Sequence, residues 1–239
     1  MIGVFILILA LAALGWLLLE ERQDALLMAG RMPGIKSYER KHAFFAKGAA
    51  SLGFLLLGAL SFLRDGLNWS YWGWMMAGLF LGLAGDLLIS LDKVWNRGKK
   101  PALLLGMSAF LLGHIAYVAA FSQLASFQMF NVVTAFILLV AEILLSGRLK
   151  FQFGSFSIPG IVYAASITLM LVKALSVLEQ MGYTGQSFCI IAGAVLFFVS
   201  DVLIIYILFK GKDTFVYKLT NLLSYYVAQL LLAGSLWIR

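Results

Sequence analysis

Two aspartates interrupt otherwise apolar stretches of this chain: Asp86 in "AGLFLGLAGDLLIS" (residues 77–90) and Asp201 in "AGAVLFFVSDVLII" (192–205). Two carboxyls kept from bulk water are equipment for moving a proton. Burial and mutual repulsion both disfavour the charged form, so such a pair is expected to hold one protonated and one ionised member. One then acts as acid, with Asp86 the candidate, and the other as base or cation stabiliser.

Further polar residues lie in the neighbouring apolar segments. Lys47 stands near the start of one, and His114 and Tyr117 share a face in "GHIAY". In the last segment Asn221, Tyr225 and Gln229 are spaced i, i+4, i+8 and share a face, with Tyr226 beside them. A charged residue within a membrane helix costs about 2.5–3.5 kcal/mol and faces a cavity or a partner. Lys47 suits either of two roles: binding a phosphate as a point charge, or setting the charge state of an aspartate. The residues alone leave both open.

The elements that must carry these groups follow from composition. The 239 residues are 62% hydrophobic and only 12% charged, against about 45–50% and 25% in soluble domains. A spanning helix needs roughly 20 mostly apolar residues. Windows at 2–19, 43–63, 72–91, 102–122, 129–146, 156–178, 188–208 and 219–237 qualify. The predicted fold is therefore all-α, a polytopic membrane protein of about eight transmembrane helices forming one transmembrane domain over 1–239. The start lacks the basic flank and small-residue cleavage site of a signal peptide, so the first helix is expected to be retained.

Fourteen of the 18 lysines and arginines fall in the connections after the odd-numbered segments. These are Arg22, Arg31, Lys36, Arg40 and Lys41, then Lys93, Arg97, Lys99 and Lys100, then Arg148 and Lys150, then Lys210, Lys212 and Lys218. The positive-inside rule places those connections in the cytoplasm and both termini outside. The net charge of +7 then reflects topology and contact with anionic head groups, not nucleic-acid binding. Both aspartates would lie roughly 7–12 Å below the cytoplasmic surface at 1.5 Å per residue. A site there would open toward that leaflet of the cell membrane.

Asp86 and Asp201 stand 115 positions apart. Each follows Ala-Gly, six residues and one small residue, and precedes a branched residue, Leu and Ile. Twenty-eight positions further, His114 and Gln229 each stand in an apolar run. The halves 1–122 and 129–239 are thus expected to be two parallel four-helix repeats, related by an axis near the membrane normal.

Other residues have a structural reading. Gly78, Gly82 and Gly85 form a close-packing face, and Trp69, Tyr71, Trp72 and Trp74 an interfacial belt. Lys173 is expected to snorkel to the outer interface and Glu142 to lie at the cytoplasmic boundary. Cys189 is the sole cysteine, and the histidines are two, His42 and His114. That excludes an intramolecular disulfide, a cysteine metal cluster and a three-histidine zinc site.

Five segments in order, Lys47 at the start of its helix, "LAGDLLISLD", "FLLGHIAYVAAF", "FFVSDVLII" and "YYVAQLLLAGSL", resemble the YhhN family of lysoplasmalogenases from about residue 43 onward. The resemblance implies hydrolysis of the vinyl-ether bond of a lysophospholipid, releasing a fatty aldehyde and glycerophosphoethanolamine or glycerophosphocholine. It implies aspartate chemistry with no metal or other cofactor. By motif match it carries the catalytic role onto Asp86 and Asp201. It places His114, Tyr117, Tyr226 and Gln229 in matching segments. Relatives vary at Gln229 and at the second aspartate.

The alternative in another class is a proton-coupled transporter, which also uses intramembrane carboxylates in pseudo-symmetric halves. The apolar outer halves of the aspartate helices ("MMAGLF", "CIIAGAV") argue against a path through both faces. An intramembrane aspartyl protease is disfavoured because "LAGD" lacks the first glycine of Gly-x-Gly-Asp. Serine precedes Asp201 where that class has tyrosine, and no Pro-Ala-Leu occurs.

Overall fold

In lipid every backbone N–H and C=O must be satisfied within the chain, so apolar segments of this length fold as helices. The computed structural model describes residues 2–28, 38–95, 100–211 and 214–238. Within them stand eight α-helices: α1 Ile2–Met28, α2 Tyr38–Ala59, α3 Trp69–Trp95, α4 Lys100–Phe121, α5 Met129–Arg148, α6 Ser157–Met181, α7 Gly185–Lys210 and α8 Phe215–Gly234. No strand occurs among the described residues. Arg31, Lys36, Arg97, Lys99 and Lys212 of the basic connections lie outside those residues.

Helix ends follow local chemistry. Thr184 caps α7, its hydroxyl accepting from the Ser187 N–H at 3.0 Å while Ser187 Oγ accepts from the Thr184 N–H at 2.9 Å. Gly211 closes α7 in the left-handed region, φ +63°, its N–H reaching the Tyr206 carbonyl, a conformation that costs glycine least.

Seven of the eight are long and apolar enough to cross a membrane, and α8 is the one that is not. It carries Asn221, Ser224, Tyr225, Tyr226 and Gln229 within 20 residues. Its polar side chains face protein, because α8 packs against α7, α2, α1 and α3. Consecutive helices pack together within each half of the chain, whereas α4 and α5, which join the halves, do not pack extensively on each other. The halves meet through α4 on α6 and through α8 on α2, α1 and α3. Of the seven apolar helices α5 is the least enclosed, resting mainly on α6.

Close approach depends on small residues. A Cβ at Gly78 would collide with the Tyr117 ring, and one at Gly85 would lie 2.7 Å from Phe110. Gly53 brings α2 to 2.6 Å of the Ala10 side chain of α1 by the same measure. The glycine face expected on α3 is thus a packing face.

Two expectations are corrected. Lys173 does not snorkel: it is wholly buried and donates to the carbonyls of Ala125 and Ser126 at 2.8 and 2.7 Å. Those carbonyls lie in the α4–α5 turn and have no helical partners of their own, so the ammonium ties that turn to α6. Tyr71 is no belt residue either. It is buried, with its hydroxyl 2.6 Å from Ser235 Oγ, whereas Trp69 and Trp74 are exposed as a belt requires.

Candidate active site

Asp86 lies in the C-terminal part of α3, and Lys47 in the N-terminal part of α2. The two helices pack side by side, which brings both residues to the same end of the bundle. Lys47 Nζ lies 3.0 Å from Asp86 Oδ1. Ser51, one turn beyond Lys47, donates to Oδ2 at 2.6 Å, and Tyr225 of α8 donates to the same oxygen at 2.8 Å. Tyr226 backs this arrangement, its hydroxyl 3.1 Å from Ser51 Oγ and donating to the Lys47 carbonyl at 3.2 Å. Asp86 is 1% exposed. A carboxylate so deeply placed is held by one cation and two hydroxyl donors, which is how a buried charge is tolerated.

A relay continues from Tyr225. Gln229 Nε2 donates to the Tyr225 hydroxyl at 3.3 Å, and the Tyr117 hydroxyl donates to Gln229 Oε1 at 2.6 Å. Gly82 makes room, since a Cβ there would collide with Gln229 Nε2. Tyr117, Gln229 and Tyr226 are buried behind Asp86, so they support it from the protein side.

Asp201 occupies a separate cluster on α7. His114 of α4 is fully buried, with Nε2 3.6 Å from Asp201 Oδ2 and Nδ1 3.2 Å from Ser166 Oγ of α6. Tyr163 of α6 interacts with Asp201, and its ring stands edge-on to His114 with centroids 5.2 Å apart. Phe197 separates the two clusters, its ring centroid 4.9 Å from that of His114 and 5.4 Å from that of Tyr225. His114 and Tyr117, which share a face of α4, therefore serve different aspartates.

The clusters meet at a cavity of about 750 Å³, within the range of small-molecule sites. Asp86, Asp201, Lys47 and Tyr225 line it, among walls that are mostly apolar, such as Phe44, Met107 and Ile143. His114, Tyr117, Tyr226 and Gln229 stand behind the wall. Glu142 also lines the cavity, accepting from Thr168 Oγ1 at 2.8 Å, and so is a cavity residue where the sequence suggests an interfacial one. No group of three metal-ligating side chains occurs among the described residues.

Ser51, Tyr163 and Ser166 escaped the sequence reading. Serine and tyrosine are ordinary in apolar helices. The available signals were the i, i+4 spacing of Lys47 and Ser51, and the 115-position offset that relates Ser51 to Ser166.

An all-helical bundle whose apolar cavity is lined by two buried aspartates defines a polytopic membrane protein with a candidate acid/base site. The chain belongs to the YhhN family, whose model matches residues 43–236. That span contains every residue of both clusters. No curated protein and no solved structure matches the chain.

Proposed function

We propose that this protein is an integral-membrane lysoplasmalogenase, hydrolysing the vinyl ether of a lysophospholipid to a fatty aldehyde and a glycerophosphodiester. The observation that carries the reading is that Asp86 and Asp201 line one cavity with otherwise largely apolar walls. Membership of the YhhN family supports it.

The chemistry requires three things of such a site. A neutral acid delivers a proton to the β-carbon of the enol ether, leaving an oxocarbenium ion. A carboxylate offsets that positive charge, as in glycoside hydrolysis. Water then adds, loses a proton to a carboxylate, and the hemiacetal collapses with cleavage of the C–O bond. Two aspartates supply both protonation states. Lys47, at the cavity edge with its side chain one-fifth exposed, serves the Asp86 charge first and is within the cavity for a lipid phosphate. The acyl-like alkenyl chain lies along the apolar wall.

The test is aldehyde release from a lysoplasmalogen by the purified protein, with and without EDTA, beside Asp86→Asn and Asp201→Asn. Chelator-insensitive release that either substitution abolishes is the expected result. Folded wild type that releases no aldehyde from either head group would overturn the substrate assignment in favour of proton-coupled transport.

A further inference from the structure

The two aspartates do not have equivalent surroundings, and the hydrogen-bond inventory distinguishes them. We infer that Asp201, positioned by His114 and Ser166, carries the proton that the proposed reaction consumes, and that Asp86 is the ionised partner. This rests on the reading above, and it reverses the assignment that the sequence favours.

Asp86 receives three donors, one of them the Lys47 ammonium. Protonating it would strand that ammonium beside a neutral group, and one carboxyl oxygen would become a donor facing other donors. The Asp86 site is built for a carboxylate.

At Asp201 the inventory runs the other way. Ser166 has one hydroxyl proton, and it goes to the Tyr163 carbonyl at 2.7 Å, an oxygen that can only accept. Ser166 Oγ can then only accept from His114 Nδ1, so Nδ1 is the protonated nitrogen. In neutral imidazole that leaves Nε2 as a bare acceptor, aimed at Asp201 Oδ2 across 3.6 Å. Both atoms are sealed from solvent, and neither has a hydrogen-bond partner among the described residues. Two acceptors facing each other in a dry interior repel unless a proton lies between them. A neutral acid beside a neutral imidazole avoids the desolvation of a buried ion pair, which places the proton on Asp201. The Tyr163 hydroxyl, the other titratable group facing Asp201, is compatible as a donor to the remaining oxygen.

The geometry also sets the direction of delivery. Asp201 lines the cavity and His114 does not, so the proton reaches substrate only through the carboxyl, once that group turns its O–H from His114 toward the cavity. Transfer makes the new C–H bond at the β-carbon from the Asp201 O–H. The π electrons form that bond, and the positive charge appears on the ether carbon and oxygen. Charge balance is kept by the new Asp201 carboxylate, while the Asp86 carboxylate faces the cavity. After water adds, its proton returns to Asp201. The hemiacetal O–H proton then passes to the departing glyceryl oxygen as the C–O bond breaks. His114 and Ser166 are positioning residues, acting through Asp201.

The test reads the proton without using turnover. Infrared difference spectra of the purified protein in H2O and D2O resolve the deuterium-sensitive carbonyl band of a protonated carboxyl. Asp201→Asn is expected to remove such a band, and Asp86→Asn to remove carboxylate bands while leaving it. His114→Gln, which keeps Asp201, is expected to shift the band without removing it, a response that a merely structural role would not give. Loss of the acid band in Asp86→Asn, or loss of only carboxylate bands in Asp201→Asn, would overturn the assignment. A band absent from wild type, or unmoved in His114→Gln, would do the same if Asp201→Asn fails to fold. The spectra are independent of aldehyde release, so a failed substrate assignment and a misplaced proton are told apart.

Discussion

Lys47 and Asp86 form a 3.0 Å ion pair between α2 and α3 in which the aspartate is sealed while the lysine retains some contact with solvent. The pair is therefore asymmetric. Lys47→Met leaves the carboxylate without its cation, and breaking a buried pair in this sense costs about 3–5 kcal/mol. Asp86→Asn leaves an ammonium that can turn toward the cavity mouth. Thermal unfolding in detergent is expected to show Lys47→Met as the less stable of the two, although Asp86→Asn is the more damaging to aldehyde release.

Ser51 and Tyr225 share one acceptor, Oδ2 of Asp86. A hydrogen bond to a charged group contributes about 1.5–3 kcal/mol, and each 1.36 kcal/mol is tenfold in rate. Ser51→Ala and Tyr225→Phe are each expected to lower kcat/KM by roughly ten- to hundredfold. Because both bonds end on the same oxygen, the double variant is expected to depart from additivity, and a double-mutant cycle measures it.

A methyl group on Gly82 would displace the Gln229 amide. It collides with Gln229 Nε2 and comes within 3.3 Å of the Tyr225 hydroxyl. Gly82→Ala is expected to break the Tyr117–Gln229–Tyr225 relay, reducing activity and destabilising the fold by about 1–3 kcal/mol. Gly73→Ala on the same helix meets nothing within 4 Å and serves as the control, with unchanged activity and unchanged unfolding temperature.

Lys173 predicts the opposite separation of effects. Lys173→Met leaves the Ala125 carbonyl of the α4–α5 turn without its donor and the Ser126 carbonyl with Gln180 Nε2 alone, and an unsatisfied buried acceptor costs about 1–3 kcal/mol. The unfolding temperature is expected to fall, while turnover measured well below it stays at the wild-type level.

The membrane class, the helix positions and both aspartates could be read from the chain because each depends on local hydropathy and on residues too costly to place in lipid without purpose. Tyr225 and Gln229 followed from helical spacing, and Lys47 from being a charge near the start of an apolar segment. The division of the polar residues into two clusters did not. His114 and Tyr117 lie on one helix and look like partners, and only the packing of α4 against α6 and of α8 beside α3 sends them to different aspartates. Phe197 illustrates the difficulty: a phenylalanine in an apolar run carries no signal, yet it is the wall between the clusters. Lys173 misled because a lysine near a helix end usually reaches water, and nothing local reveals that two turn carbonyls take its protons instead.

The composition of α8 bears on how the protein is made. A segment with Asn221, Tyr225, Tyr226 and Gln229 in its middle does not partition into a bilayer on hydropathy alone. It is held instead by packing against α7, α2, α1 and α3, and just beyond its end Trp237 Nε1 donates to the Leu57 carbonyl at 2.8 Å while Ser235 meets Tyr71. Synthesis delivers α8 after the other seven helices, and Tyr225 comes with it. Without α8, Asp86 would keep Lys47 and Ser51 but lack its third donor, Tyr225. The site is thus complete only when the last helix to be made is in place.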